Sequence, residues 1–310
     1  MPLQAAPVLI DIHATMTRIQ ANLILLLTAA IWGAAFVSQN LAMNSMGPLW
    51  FVGIRFIIGF LAVLPFAIRE NGKATTPLNA RAVAAYGICG MALLLGAITQ
   101  QIGMLTTTVT NASFLTGLYV IIVPVLSVIV LRRLPHWIIW PAALMALAGI
   151  FYLAGGRLST LVAGDFWMIA CAACFGTQVL LVGIFMSGSD RPLALSAVQF
   201  LVTGAGALAI AAAIEPVSWA GIVEAAPHIL YSGLVSSGIA YTLQVVGQRW
   251  TTAPQAAIFL SSESLFGAFF GALVLGERIS PIGYFGCALI FVAMLLVEIV
   301  PELTKRRRPT

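Results

Sequence analysis

Long apolar stretches separated by short polar turns run along the whole chain. A hydrocarbon core about 30 Å thick requires about 20 apolar residues per helix, and stretches of this length recur from end to end. Strands of a membrane barrel would instead alternate over about 10 residues, so the pattern favours helices. Ten membrane spans are predicted, at residues 22–43, 48–68, 82–104, 109–131, 136–154, 164–186, 192–214, 226–248, 253–275 and 280–299. The predicted fold is therefore an all-α integral membrane protein.

The composition supports a membrane protein. The 310 residues are 61% hydrophobic and 8% charged, whereas a soluble domain carries roughly a quarter charged residues. The net charge of +5 gives no support for nucleic-acid binding, because the cations are scattered between the spans with one cluster in the tail. The expected partners are the lipid bilayer and a small-molecule substrate, with no nucleic acid, and the chain is expected to be a monomer.

The distribution of cations predicts the orientation. Ten spans place both termini on one side, and the positive-inside rule assigns the cation-rich side to the cytoplasm. With the N-terminus inside, the cytoplasmic cations are Arg18, Arg69, Lys73, Arg81, Arg132, Arg133, Arg191, Arg249, Lys305, Arg306, Arg307 and Arg308. Only Arg157 and Arg278 fall outside. Residues 1–21 are then a cytoplasmic N-terminal segment and residues 300–310 a basic cytoplasmic tail, in a bacterial inner (plasma) membrane.

The two halves of the chain are related by an internal repeat. Phe56 falls on Phe200 and Gln100 on Gln244, each 144 positions later. The repeats are predicted at residues 22–154 and 164–299, with five spans each. Because five is odd, the two copies lie in opposite orientation. Inverted repeats provide two equivalent structures open to opposite sides of a midplane site, which favours transport by alternating access.

Several segments resemble a known family. They are AAIWGAAFVSQNLA in the first span, QQIGMLTTTVTNASFLTGLYVIIVPVLSVIV in the third and fourth, and SSESLFGAFFGALVLGERISPIGYFGCALIFVAMLL in the ninth and tenth. In order and spacing they resemble the drug/metabolite transporter (DMT) superfamily, specifically its EamA-type ten-span carriers, and within it the YddG-type exporters of amino acids. The resemblance implies a cavity lined by spans one, three, four, six, eight and nine, with spans two, five, seven and ten peripheral.

The predicted function is secondary-active export of small amphipathic metabolites, with aromatic or hydrophobic amino acids as the first candidates. An exporter of drugs or other non-amino-acid metabolites is the alternative. An intramembrane enzyme is the less favoured alternative, because the chain has no HExxH or GxSxG motif and one buried acid is a thin catalytic set. No catalytic residue, metal or cofactor is expected, and the CxxC of Cys171 and Cys174 is interpreted as packing within lipid.

Glu263 is the acid in the middle of an apolar span. It lies ten residues into the ninth span, roughly 15 Å of helix from its start, which is the midplane of the membrane. An ionised carboxylate there is costly and should face the interior of the bundle. Two interpretations remain open: a ligand for a substrate ammonium or a proton, and a structural acid bonded to neighbouring helices. Ser262 beside it offers a hydroxyl.

Amide and aromatic side chains on the expected lining spans complete the candidate site. Amides offer a donor and an acceptor and suit the head of a zwitterion, although they also hydrogen-bond between helices. The candidate substrate-binding residues are Trp32, Phe36, Gln39, Gln100, Asn111, Phe114, Tyr119, Gln178, Tyr241, Gln244, Ser262 and Glu263, with Phe175 as a further aromatic candidate. Arg55 is the one cation inside a predicted span, and on a peripheral helix it is interpreted as snorkelling or paired rather than as a ligand.

Overall fold

The computed structural model describes residues 16–74, 78–107, 109–156, 162–187, 189–276 and 278–306. Within those ranges the regular structure is helical, and nine helices are long and apolar enough to cross a membrane. The remaining span, Ile139–Leu153, has 15 residues and follows a turn at His136–Ile138. The ten spans are Arg18–Ala42, Pro48–Lys73, Ala80–Gly103, Val109–Thr116 with Tyr119–Leu131, Ile139–Leu153, Ala163–Met186, Pro192–Ile214, Ala226–Gln248, Ala253–Leu260 with Glu263–Leu275, and Pro281–Arg306. The predicted ten-span all-α fold is confirmed.

Local sequence signals set where the spans begin. Thr17 caps the first span: its hydroxyl accepts the Gln20 amide at 3.2 Å, and the Gln20 side chain accepts the Thr17 amide at 2.9 Å. Pro48 and Pro192 occupy the first turn of the second and seventh spans, where a missing N–H costs nothing. Successive spans alternate in direction, so the first begins and the tenth ends on one face. We call this the terminal face and the opposite one the far face.

The packing of the spans follows the inverted repeat. The second span packs on the seventh, the fifth on the tenth and the fourth on the ninth, so each of these pairs joins equivalent spans of the two repeats. The contact between the third and sixth spans has its equivalent in the contact between the eighth and first. The first span packs on the ninth just as the sixth packs on the fourth. This exchange of partners is the pattern expected of two copies related by a twofold axis in the membrane plane.

The fourth and ninth spans are broken at the same point of the repeat. The break falls at Gly117-Leu118 in the fourth span and at Ser261-Ser262 in the ninth. Tyr119 and Glu263 begin the second half of each span, and they are 144 positions apart, the displacement between the repeats. The break is therefore a property of the repeat, and it places one polar side chain from each repeat at equivalent positions.

Both breaks arise from the same tightening of the helix. In the ninth span the Ser262 amide donates to the Phe259 carbonyl at 3.2 Å and the Leu265 amide to the Ser262 carbonyl at 3.0 Å, three residues back instead of four. In the fourth span the Leu118 amide donates to the Leu115 carbonyl in the same way, at 3.2 Å. A short 3₁₀ turn inside a helix redirects its axis and often marks a functional position.

The second and seventh spans cap one another at both faces. The Glu70 carboxylate, at the terminal-face end of the second span, accepts the backbone amides of Leu193 and Ala194 at 3.1 and 2.9 Å. At the far face the Glu215 carboxylate accepts the Leu49 amide at 2.9 Å. Each acid thus satisfies free amides at the first turn of the antiparallel neighbour, where the helix dipole also favours negative charge.

Part of the eighth span is wound as a π-helix, over residues Tyr231–Tyr241. This wider winding is rare and commonly occurs at functional sites. Its small residues admit the second span closely: a Cβ on Gly59 would lie 3.1 Å from the Ser237 side chain. The second span therefore approaches the centre of the molecule and is less peripheral than the family resemblance implied.

Candidate functional site

A small cavity lies at the middle of the bundle. Its lining comes from the first, second, third, fourth, sixth, eighth and ninth spans. The lining residues are Trp32, Phe36, Gln39, Arg55, Gln100, Tyr119, Phe175, Gln178, Val179, Ser236, Tyr241 and Glu263. The lining combines aromatic rings with a few convergent polar groups, as small-molecule sites commonly do.

The two helix breaks place Tyr119 and Glu263 together at the cavity. Both side chains line the cavity, and the Tyr119 hydroxyl is buried without a hydrogen-bond partner. Glu263 is 4% exposed, and its Oε1 atom is buried with no hydrogen-bond partner. A carboxylate with an unused acceptor inside the bundle is available to a ligand, and this favours the binding interpretation over the structural one.

The serines beside Glu263 are used within the protein. The Ser261 hydroxyl donates to the Ile258 carbonyl at 2.9 Å, and the Ser262 hydroxyl donates to the Phe259 carbonyl at 2.6 Å, so both stay within the turn of their own helix. The Ser264 hydroxyl donates to the Ser113 carbonyl at 3.0 Å and joins the ninth span to the fourth. These bonds hold the break in shape and leave the carboxylate as the group that faces the cavity.

Arg55 also lines the cavity, and it is 1% exposed. Its guanidinium carbon lies 4.8 Å from the centre of the Phe56 ring and 5.5 Å from that of Phe51. The Nε and Nη2 atoms are buried without a hydrogen-bond partner. The structure therefore corrects the interpretation of Arg55 as a snorkelling or paired residue, because its guanidinium is turned inward and lies against aromatic faces.

Aromatic rings form one wall of the cavity. The Trp32 and Tyr241 ring centroids are 4.5 Å apart, and the Tyr241 ring lies 5.7 Å from Phe56. The Trp32 indole N–H donates to the Ser236 carbonyl at 3.3 Å, which fixes its orientation against the π-helical segment. This wall suits an apolar or aromatic group of a ligand, because tilted aromatic packing favours a further ring.

Comparison with known proteins gives the family. The EamA-like transporter family model matches twice, at residues 19–155 and 162–299. The chain belongs to this family. An uncharacterized transporter of Archaeoglobus fulgidus is 30% identical over 91% of this chain and 87% of its own, and the uncharacterized transporter YwfM of Bacillus subtilis is 27% identical over 92% and 95%. A solved crystal structure shares the fold with a TM-score of 0.75 at 16% identity, over 92% of this chain and 98% of its own.

These matches identify the protein as a multi-pass membrane transporter of the drug/metabolite superfamily. A match in each half of the chain agrees with the repeat seen in the packing. Transporters built from inverted repeats bind their substrates at the repeat interface near the midplane, and the lining of the central cavity comes from both repeats. No group of His, Cys, Asp or Glu within the described ranges could hold a metal ion.

Most of the candidate residues chosen from the sequence meet at the cavity. Trp32, Phe36, Gln39, Gln100, Tyr119, Gln178, Tyr241 and Glu263 line it, together with Phe175. Three others are placed elsewhere. Phe114 packs on Phe151 with ring centroids 6.0 Å apart, Gln244 is hydrogen-bonded behind Gln178, and Ser262 bonds within its own turn. The side chain of Asn111 lies outside the described part of the structure.

Sequence reasoning missed Arg55, Val179 and Ser236 as lining residues. Val179 and Ser236 gave no chemical signal. Arg55 did give a signal. It directly precedes Phe56, and Phe56 matches Phe200 in the repeat. The repeat equivalent of Arg55 is therefore Gln199, a polar residue at a buried position. A polar residue at the same position of both repeats indicates an inward-facing site, and the assignment of the second span to the periphery concealed it.

Proposed function

We propose that this transporter exports amphipathic zwitterions, namely amino acids with aromatic or hydrophobic side chains, by alternating access around the central cavity. One observation carries the proposal. Arg55 and Glu263, of opposite charge, line the same cavity, and neither forms an ion pair within 4.0 Å in the described part of the chain. Two groups of opposite charge that are not paired with each other match the two charges of an amino acid.

Each end of an amino acid has a partner in this arrangement. The Arg55 guanidinium has donors in the fork geometry that binds a carboxylate with two hydrogen bonds. The Glu263 carboxylate accepts an ammonium group, and the nearby amides of Gln39 and Gln100 can supplement either end. The wall of Trp32 and its neighbours then receives an apolar side chain.

The setting of transport follows from the charges along the chain. We propose that the protein is a monomer in a bacterial inner membrane, with both termini cytoplasmic as the positive-inside rule indicates. Its partners are then the bilayer and the transported molecule. In this orientation the terminal face is the side from which exported substrate is loaded, and the far face is the side of release.

Transport by purified protein in liposomes tests the substrate class. Phenylalanine, phenethylamine and 3-phenylpropionate have the same ring, and the last two lack the carboxylate and the ammonium respectively. Phenylalanine should exchange with saturation, and each analogue should exchange at least about tenfold more slowly, because each leaves one buried charge without a partner. Equal rates for the three compounds, or no exchange of phenylalanine and other apolar amino acids, would overturn the proposal.

The Arg55→Gln variant links the substrate class to the residue. Phenylalanine exchange should fall at least about tenfold, and the preference for phenylalanine over phenethylamine should disappear in the exchange that remains. Arg69→Gln is the matched control, because Arg69 is on the same span but exposed and outside the cavity. A preference for the carboxylate that survives in Arg55→Gln would show that another group binds it.

A further inference from the structure

Four glutamine side chains fill the space on one side of the cavity. The Gln178 amide donates to Gln199 at 3.1 Å, and the Gln244 amide donates to Gln178 at 3.0 Å and to Gln248 at 2.9 Å. The Gln248 amide donates to the Val179 carbonyl at 2.8 Å. This glutamine cluster joins the sixth, seventh and eighth spans, and all four of its side chains are at most 2% exposed.

The glutamine cluster lies between the cavity and the terminal face. Gln248 is the last residue of the eighth span, which ends at that face. Gln199 is seven residues from the terminal-face start of the seventh span, or roughly 10 Å along the helix. Gln178 belongs both to the cluster and to the cavity lining, so it forms the floor of the cavity. The cluster thus closes the route to the terminal face.

The equivalent positions of the first repeat lie on the other side of the cavity. The repeat relates Gln199 to Arg55 and Gln244 to Gln100, each 144 positions apart. Arg55 is seven residues from the far-face start of the second span, and Gln100 is three residues from the far-face end of the third. Both line the cavity, and within the described ranges no hydrogen bond joins them. The same positions are therefore bonded in one repeat and open in the other.

Gln178, which joins the other glutamines of the cluster, has a counterpart on the far side of the cavity. The first repeat holds alanines, Ala34 and Ala35, where Gln178 stands in the second. Gln39 lies one turn further along the first span, lines the cavity, and has a buried Oε1 atom without a partner. A guanidinium carries five N–H donors, so Arg55 can serve the amide oxygens of Gln39 and Gln100 together.

We propose that Gln39, Arg55 and Gln100 form a gate at the far side, which closes when the glutamine cluster opens. Inverted repeats change access by exchanging conformations. When the glutamine cluster of the second repeat opens, the equivalent residues of the first repeat are therefore expected to bond to one another. This inference rests on the alternating access of the proposed function. It adds that a substrate carboxylate and the two amide oxygens compete for Arg55, so that loading a substrate from the terminal face releases the far gate.

A single cysteine at the cavity reports which gate is open. Ser236 lines the cavity and belongs to neither gate, so Ser236→Cys is placed in a chain whose four native cysteines are replaced by alanine. In liposomes of known orientation, a membrane-impermeant thiol reagent is added on one side at a time. The measured quantity is the ratio of labelling rates from the far face and the terminal face.

Repeat-equivalent variants should shift this ratio in opposite directions. Gln244→Met keeps the length of the side chain and removes the bonds of the glutamine cluster, so labelling from the terminal face should rise about fivefold relative to the far face. Gln100→Met removes the far gate, so the ratio should shift the other way by a similar factor. If Gln244→Met or Gln100→Met fails to fold, the Asn variant at the same position replaces it.

Shifts in the same direction, or an unchanged ratio in both variants, would overturn the far gate. The labelling needs no substrate, so the test remains decisive even if amino acids prove not to be transported. Conversely, saturable phenylalanine exchange together with an unchanged labelling ratio would leave the proposed function in place and remove the gate. Addition of phenylalanine to the Ser236→Cys protein should raise the rate of labelling from the far face relative to the terminal face.

Discussion

At the scale of single residues, Arg55 and Glu263 dominate the energetics of the site. A buried charge within the membrane is costly, and each of these groups lacks the hydrogen-bond partners that would offset the cost. Such groups are retained where they act, because a bundle that needed only packing would use apolar residues of similar volume. The proposed zwitterionic substrate would supply partners to both groups.

Substitution of Glu263 separates binding from structure. Glu263→Gln keeps the shape and removes the charge, so we expect phenylalanine exchange to fall at least about tenfold while thermal stability stays within about 1 kcal/mol of the parent. Flux in liposomes and thermal unfolding in detergent measure the two effects. Glu263→Asp, which keeps the charge, serves as the matched control. A Gln variant with normal flux would make the carboxyl group structural.

The sequence identified Glu263 but not Arg55 for a physical reason. Both are lone charges in apolar spans, and their positions along the spans differ: Glu263 is at the midplane, whereas Arg55 is close enough to an end for a long side chain to reach water. Hydropathy cannot show which way such a side chain turns. The inward orientation of the Arg55 side chain depends on Phe51 and Phe56, because their rings contact the guanidinium only in the folded bundle.

At the scale of secondary-structure elements, the spans were predictable and their interruptions were not. Apolar length fixes a span because the bilayer leaves no other way to satisfy the backbone. The breaks before Tyr119 and Glu263 have no proline at the break itself, and a 3₁₀ turn keeps helical dihedral angles, so the local sequence carries little signal. The π-helical segment of the eighth span, which packs against the second span, has no local sequence signal either.

The reciprocal caps of the second and seventh spans should contribute measurably to stability. Glu70→Gln and Glu215→Gln each weaken charge-assisted bonds to free helix amides, so each should lower the free energy of unfolding by about 0.5–2 kcal/mol. Thermal unfolding in detergent measures the effect. Glu224→Gln is the control, since Glu224 is exposed. Variants that unfold at the temperature of the parent would show that these bonds are replaced by water.

At the scale of the whole molecule, the twofold relation between the repeats explains most of what was predictable. Matching Gln100 with Gln244 and Phe56 with Phe200 was enough to predict two inverted five-span units, and the paired contacts of the spans bear out that architecture. What the repeat alone could not give is its asymmetry. The glutamine cluster is bonded on one side only, and the equivalent positions of the first repeat hold Arg55 and Ala34 in place of Gln199 and Gln178.

The orientation of the whole molecule is the last prediction, and the direction of export depends on it. Positively charged loops stay in the cytoplasm, and the cations of this chain gather between and beyond the spans at the terminal face. Reporter fusions after Lys73 and Arg306 should therefore read cytoplasmic, and a fusion after Gly156 should read external. A fusion after Ala42, at the far-face end of the first span, provides a control that should also read external. A cytoplasmic reading at Gly156 would reverse the molecule, and the glutamine cluster would then close the outer side.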